Sequence, residues 1–201
     1  MANTRRPYQD PPPASLAHDA WERGHLTAHD IFRIAAWKSV KGMGWLTLNS
    51  ETDFISTTCQ AMDNLKPLRG MNLLGLDDDQ FWERWLIATR SAAGSNIEPK
   101  SGLMKLIGVS YPMATAILCT LDEQVWPVMD RYAVKTVFGT NGFDWQRAVV
   151  YQAFSRWLAT KGPLYWTSVN SVHGLDQAAM RASMPDGCLP VDWTPAVLPS
   201  A

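Results

Sequence analysis

The stretch Leu103-Met-Lys-Leu-Ile-Gly-Val-Ser-Tyr-Pro-Met-Ala-Thr-Ala-Ile-Leu118, followed after a short polar connection by Trp126-Pro-Val-Met-Asp-Arg-Tyr-Ala-Val-Lys-Thr-Val-Phe138, decides how the chain is read. Leu103, Leu106 and Ile107 fall on one face of a helix, and Ala114, Ile117, Leu118 and Leu121 on one face of a second. Between them Gly108-Val109-Ser110 makes a tight turn, and Pro112 suits the first turn of the second helix. Two short helices joined in this way form a helix-hairpin-helix. Gly108 has no Cβ to hold backbones apart, so N–H groups and a helix N-terminus can come up to a phosphate. Asp130 then opens the next apolar-periodic helix, behind the rigid Pro127.

Working outward, the same helical spacing recurs on both sides. Thr27 and Asp30 are placed to cap a helix carrying Ile31, Ile34 and Ala35, and Ser50 to cap one carrying Phe54, Ile55, Thr58 and Met62. Asp77-Asp78-Asp79 opens a helix with Phe81, Trp82 and Trp85, where three acids suit the helix macrodipole and a metal is the alternative. Beyond Phe138, Gly139 ends a helix, Asp144 is expected to cap a long one ended by Gly162-Pro163, and a last helix is expected over roughly 164–184. No strand alternation and no repeat is visible, so the expectation is an all-α fold. Residues 1–14, with Arg5-Arg6-Pro7 and Pro11-Pro12-Pro13, read as a flexible lead-in. Residues 15–184 read as a single helical domain, and 185–201 as a Pro- and Gly-rich tail along the surface.

Composition narrows the class. At 201 residues with 46% hydrophobic and 18% charged residues, the chain can bury one full core. A net charge of −1 excludes a globally basic nucleic-acid binder, so any DNA contact must be a local cluster of Lys and Arg. Cys59, Cys119 and Cys188 lack C-x-x-C spacing, which suggests neither zinc site nor disulfide framework and fits a reducing cytoplasm. No run approaches the roughly 20 apolar residues of a membrane span, so no membrane partner is expected. His25 and His29 stand one helical turn apart without a third ligand, and His173 is read as a surface or interface residue.

Leu103, Leu106, Gly108, Val109, Ala114, Ile117, Leu118 and Asp130 match, in order and spacing, the pattern of the helix-hairpin-helix DNA glycosylases, which this chain resembles. The resemblance implies a two-lobed all-α fold with the hairpin and Asp130 at the mouth of a cleft. It implies a monomer acting on duplex DNA that carries a modified base. Three positions depart from the pattern. Ser110 stands where the second hairpin glycine is usual, and Ile107 where a proline is. Pro112 holds the position of the lysine found in members that also cut the strand, which implies a monofunctional enzyme using water. The four-cysteine iron–sulfur motif of some members is absent, and no cofactor or metal is expected.

Breaking a base–sugar bond builds positive charge on the sugar, which a nearby carboxylate stabilises while orienting water, once the base is turned out of the duplex. Asp130 is the candidate for that role, with simple N-capping as the alternative. Lys105, Gly108, Val109, Ser110, Tyr111 and Pro112 are the candidate DNA contacts, and Lys38, Lys100 and Arg131 further candidates for phosphate. Of the 10 Trp residues, Trp37, Trp126 and Trp166 are candidates to stack on an everted base, with Tyr132 beside them, against the alternative of core packing. An aromatic pocket favours an alkylated, electron-poor purine, with oxidised guanine as the rival. Two other functions fit the same residues: a non-catalytic DNA-binding module that keeps the hairpin, and a helical protein–protein adaptor.

Overall fold

The computed structural model describes residues 14–38, 43–95, 97–184, 187–190 and 192–199. Among them the chain is all-α: ten helices and no strand, apart from an isolated bridge between Ser95 and Ser101. The helices are α1 (Ala14–Arg23), α2 (Ala28–Lys38), α3 (Met43–Leu46), α4 (Glu51–Leu65) and α5 (Asp79–Ala93). They continue as α6 (Tyr111–Leu121), α7 (Arg131–Phe138), α8 (Ala148–Thr160), α9 (Gly162–Tyr165) and α10 (Val172–Ala182). No described helix is long and apolar enough to cross a membrane. The lead-in at 1–13 lies outside the described residues.

The starts of the helices follow from local chemistry. Ser50 and Asp53 cap α4 reciprocally: the Asp53 N–H donates to Ser50 Oγ at 3.1 Å and the Ser50 N–H to the Asp53 carboxylate at 2.8 Å. Thr27 and Asp30 do the same for α2, at 3.3 and 3.0 Å. The three acids at the start of α5 divide their labour. Asp78 accepts the Gln80 N–H, while Asp77 and Asp79 grip the Arg156 guanidinium and tie α5 to α8.

α6 is the helix the others gather round. Nine of its residues are buried, from Tyr111 to Leu121. A helix apolar on all sides must be covered on all sides. α1, α2 and α5 pack on it, and Ala114, Thr115 and Ala116 are small enough to let neighbouring backbones approach. Trp82, Trp85 and Trp126 lie fully buried in the same core, each worth roughly 2–3 kcal/mol of apolar transfer.

Three boundaries differ from the sequence expectation. The first arm of the hairpin is one 3-10 turn, Gly102–Lys105, and not a helix. Gly102 sits at φ 55°, where a Cβ would meet the Ala92 carbonyl oxygen at 2.5 Å. Ile107 consequently faces outward, 44% exposed. The helix expected from Asp144 starts at Ala148, leaving Trp145 ahead of it. The last helix is two, α9 and α10, because Ser171 caps a fresh start by accepting the Gly174 N–H at 3.0 Å. The tail returns to the domain at Ala196, whose N–H donates to Val137 O at 2.7 Å near the end of α7.

Candidate active site

The segment Trp126–Asp130 crosses the core between α6 and α7, where no ladder is available for its backbone groups. Side chains from three helices supply partners for them, and one from a fourth holds the Trp126 indole. Trp126 Nε1 donates to Thr89 Oγ1 of α5 at 3.2 Å. Tyr151 Oη of α8 donates to Pro127 O at 2.6 Å. The Val128 N–H donates to the Asp176 carboxylate of α10 at 2.5 Å, and the Met129 N–H to Thr115 Oγ1 of α6 at 3.1 Å. Buried amides and carbonyls without such partners cost about 1–3 kcal/mol each. The pinned segment therefore delivers Asp130 to one position.

Asp130 is the N-cap of α7, its Oδ1 accepting the Tyr132 N–H at 2.8 Å. Its Oδ2 lies 3.2 Å from Lys38 Nζ, at the end of α2. The two side chains are 26% and 16% exposed respectively, so the pair sits in a partly enclosed but solvent-reachable position. A carboxylate that only capped would need the Tyr132 bond alone.

A second charged pair lies behind the first. His173 Nδ1 is 2.9 Å from Asp176 Oδ2, and both residues are buried. Burial alone would push the His173 imidazolium down, but the Asp176 carboxylate and the neighbouring Cys119 outweigh it and push its pKa up to about 12. Burial pushes the Asp176 carboxyl above the ordinary carboxylate range, and His173, the Val128 N–H and Lys38 each pull it back. His173 and Trp37 meet in a T-shaped contact, with ring centroids 5.8 Å apart at 81°. Trp37, Lys38, Asp130, His173 and Asp176 thus form one linked group drawn from α2, α7 and α10.

At the hairpin Gly108 takes φ 89°, the left-handed conformation that suits glycine. Ser110 is the N-cap of α6 but makes no side-chain cap bond, so the first-turn amides have no side-chain acceptor there. The turn is braced from outside by Asn49, whose side-chain amide accepts the Ile107 N–H at 2.8 Å and donates to Ile107 O at 2.9 Å. Beside it a hollow of about 460 Å³ is lined by Leu48, Asn49, Asp53, Gln60, Lys105 and Ile107, among others.

The structure separates the candidates. Asp130 and Lys38 come together, Lys38 held by the carboxylate rather than reaching outward, and Trp37, the residue before Lys38, meets His173. Lys105, Ser110 and Lys100 are exposed, Gly108 and Pro112 half-buried. Val109 and Tyr111 turn their side chains into the core, so only their backbone can meet a ligand. Arg131 lies over the Tyr132 ring, its Cζ 4.7 Å from the centroid, next to Asp130. Trp126 is corrected: it is fully buried with its N–H taken by Thr89, and serves packing rather than a base pocket. Trp166 packs against Trp157 and Tyr165. His173 is also corrected, from surface residue to buried ion-pair partner. The signal missed was its i,i+3 spacing to Asp176 on the apolar face of α10. Among the described residues no cluster of three or more His, Cys, Asp or Glu is arranged to hold a metal ion. No family model, curated protein or solved structure matches the chain.

Proposed function

We propose that this chain is a DNA N-glycosylase that removes a modified base, a purine by preference, from duplex DNA. Asp130 stabilises the positive charge that develops on the sugar as the base departs and orients the water that adds to C1′. The amides of Gly108, Ser110 and the first turn of α6 hold a backbone phosphate, the Val109 N–H being taken by Leu106 O at 3.1 Å, with Lys105 adding charge. Arg131 and Tyr132 flank the carboxylate, and Trp37, next in sequence to the lysine that holds it, offers an aromatic ring for the everted base.

The observation that carries this reading is the support under Asp130. Three buried side chains from three helices fix the backbone that precedes it and a fourth holds the Trp126 indole, while the second Asp130 oxygen faces a lysine rather than a second backbone amide. A cap that served only α7 would not require that scaffold. A preorganised charge does, because its position relative to the sugar sets its effect on the barrier.

The second reading is a hairpin module that binds DNA without turnover. The contact from Lys38 favours it, since that contact neutralises Asp130 at rest. Incubating the protein with duplexes that each carry one modified base, followed by alkali to cut at abasic sites, decides between them. Cutting of at least one duplex supports the glycosylase. Salt-sensitive binding with no cutting across alkylated, oxidised and deaminated bases supports the module.

A further inference from the structure

The hollow beside the hairpin is lined by polar groups that the fold leaves unused. On α4, Asp53, Ser56, Thr57 and Gln60 fall at i, i+3, i+4 and i+7, so one polar stripe of the helix borders it together with Lys105 and Ile107. Thr58, one position on from Thr57, shares its hydroxyl between Leu26 O and Phe54 O at 3.1 and 2.7 Å. Thr57 is only 9% exposed and lines the hollow, yet its hydroxyl has no hydrogen-bond partner among the described residues. A nearly buried hydroxyl in that state calls for a partner from outside the chain. Gln60 likewise keeps its side-chain amide unbonded and Lys105 its ammonium unpaired among the described residues. Asp53 uses Oδ2 for the Ser50 N–H and hydroxyl, at 2.8 and 2.7 Å, and leaves Oδ1 free. Two aliphatic side chains, Leu48 and Ile107, wall the hollow and stay exposed. Trp45, one turn before Leu48, stands 63% exposed with no ring or polar partner among the described residues. The volume of about 460 Å³ lies within the roughly 300–1,000 Å³ of small-ligand sites.

We propose that this groove binds an unpaired nucleotide of DNA, so that the protein engages a duplex carrying a single-stranded extension in preference to a fully paired one. The inference rests on the glycosylase reading, because the hairpin that borders the groove is the one that grips the strand there. Each part of a nucleotide has a counterpart. A planar base lies against the Leu48 and Ile107 side chains, and its edge meets the Thr57 hydroxyl and the Gln60 amide, which donates and accepts in one plane. Asp53 Oδ1 accepts from an amino group or ring N–H of the base, and its charge turns the phosphate away. The phosphate falls instead on Lys105, near the open amide of Gly108. The next base stacks on the Trp45 indole, an aromatic platform of the kind that holds single strands. A paired base shows only its groove edges and stays in the stack, so the groove selects an unpaired one. A peptide fits less well. A bare cation beside hairpin amides calls for an anion at every repeat of the ligand, which a nucleic-acid strand supplies and a peptide does not.

The test measures binding of the full-length protein, by fluorescence anisotropy at one salt concentration, to two DNAs that share a long strand. In one the strand extends beyond a shorter partner, and in the other it is fully paired. The extended duplex is expected to bind at least about fivefold more tightly, the smallest gain that one stacked base gives. Trp45→Ala combined with Gln60→Ala, both at exposed positions, is expected to abolish that gain while melting at the wild-type temperature and binding the fully paired duplex as the wild type does. Thr57→Val, which keeps the shape and deletes the hydroxyl, reduces the gain. Equal binding of the two DNAs by the wild type, or the full gain in the double variant or in Thr57→Val, overturns the proposal. Base release, scored separately by alkali on a paired duplex with a modified base, keeps the two readings apart. Release without a gain leaves the glycosylase and removes the groove, whereas a gain without release leaves the groove as part of a binding module. Failure to bind either DNA at low salt overturns both.

Discussion

Replacing Asp176 tests the link between core and site. Its Oδ2 accepts from His173 at 2.9 Å and from the Val128 N–H at 2.5 Å, and the residue is 4% exposed. Asp176→Ala removes the imidazolium's counter-charge and orphans an amide in one step. Breaking one side of a buried pair costs about 3–5 kcal/mol, and an unpaired buried amide about 1–3 kcal/mol. The two are not additive, because the imidazolium can shed its proton once the carboxylate is gone. A loss of about 4 kcal/mol follows, which for a chain of this size lowers the melting temperature by roughly 8–16 °C. Asp176→Asn keeps an acceptor for Val128 while losing the charge, so it falls by about half as much. Thermal and urea denaturation followed by circular dichroism read both variants. A loss under about 1 kcal/mol for Asp176→Ala, or an Asn variant as unstable as the Ala variant, would refute the reasoning.

Other outcomes follow from the same contacts. Thr115→Val, nearly isosteric, removes the acceptor for the Met129 N–H; it should cost about 1–3 kcal/mol in urea and slow base release, since Met129 directly precedes Asp130. Asn49→Ala removes both bonds to Ile107; it should cost about 0.5–1.5 kcal/mol per bond, raise hydrogen exchange at Ile107 and weaken binding to an abasic duplex. His173 gives a pH signature. Its pKa in the folded chain, about 12, lies above the unfolded value of 6.5, so its stabilisation is whole below pH 6.5 and is lost as pH rises towards 12. Urea stability should therefore fall between pH 6.5 and 9, by at most about 1.4 kcal/mol per pH unit, and His173→Gln should flatten that decline.

Much of the fold was legible because its cause is local. Helix class follows from apolar spacing, and the starts at Thr27, Ser50 and Asp78 follow from side chains that bond amides two or three residues on. Asp130 was legible for the same reason, since a cap announces itself beside the helix it starts. What the sequence could not display is what lies far apart in it. Lys38 and Asp130 are joined only by the packing of α2 and α6 and the path of Trp126–Asp130 through the core. The shortened first arm of the hairpin arises from the close approach of Gly94 and Gly102, where backbone geometry overrides the helical spacing of Leu103, Leu106 and Ile107. Trp126 and Trp37 look alike as residues, and only burial tells them apart: one is sealed in the core with its N–H satisfied, the other partly exposed against His173.

The most direct measurement is the single-turnover rate of base release by wild type and by Asp130→Asn, on whichever modified duplex the wild type cuts. The asparagine keeps the cap bond to Tyr132 and therefore the fold, but carries no charge to place against the sugar. A fall of at least roughly a hundredfold at unchanged melting temperature is predicted. Equal rates for the two proteins, or no base released by the wild type from any duplex, would contradict the account.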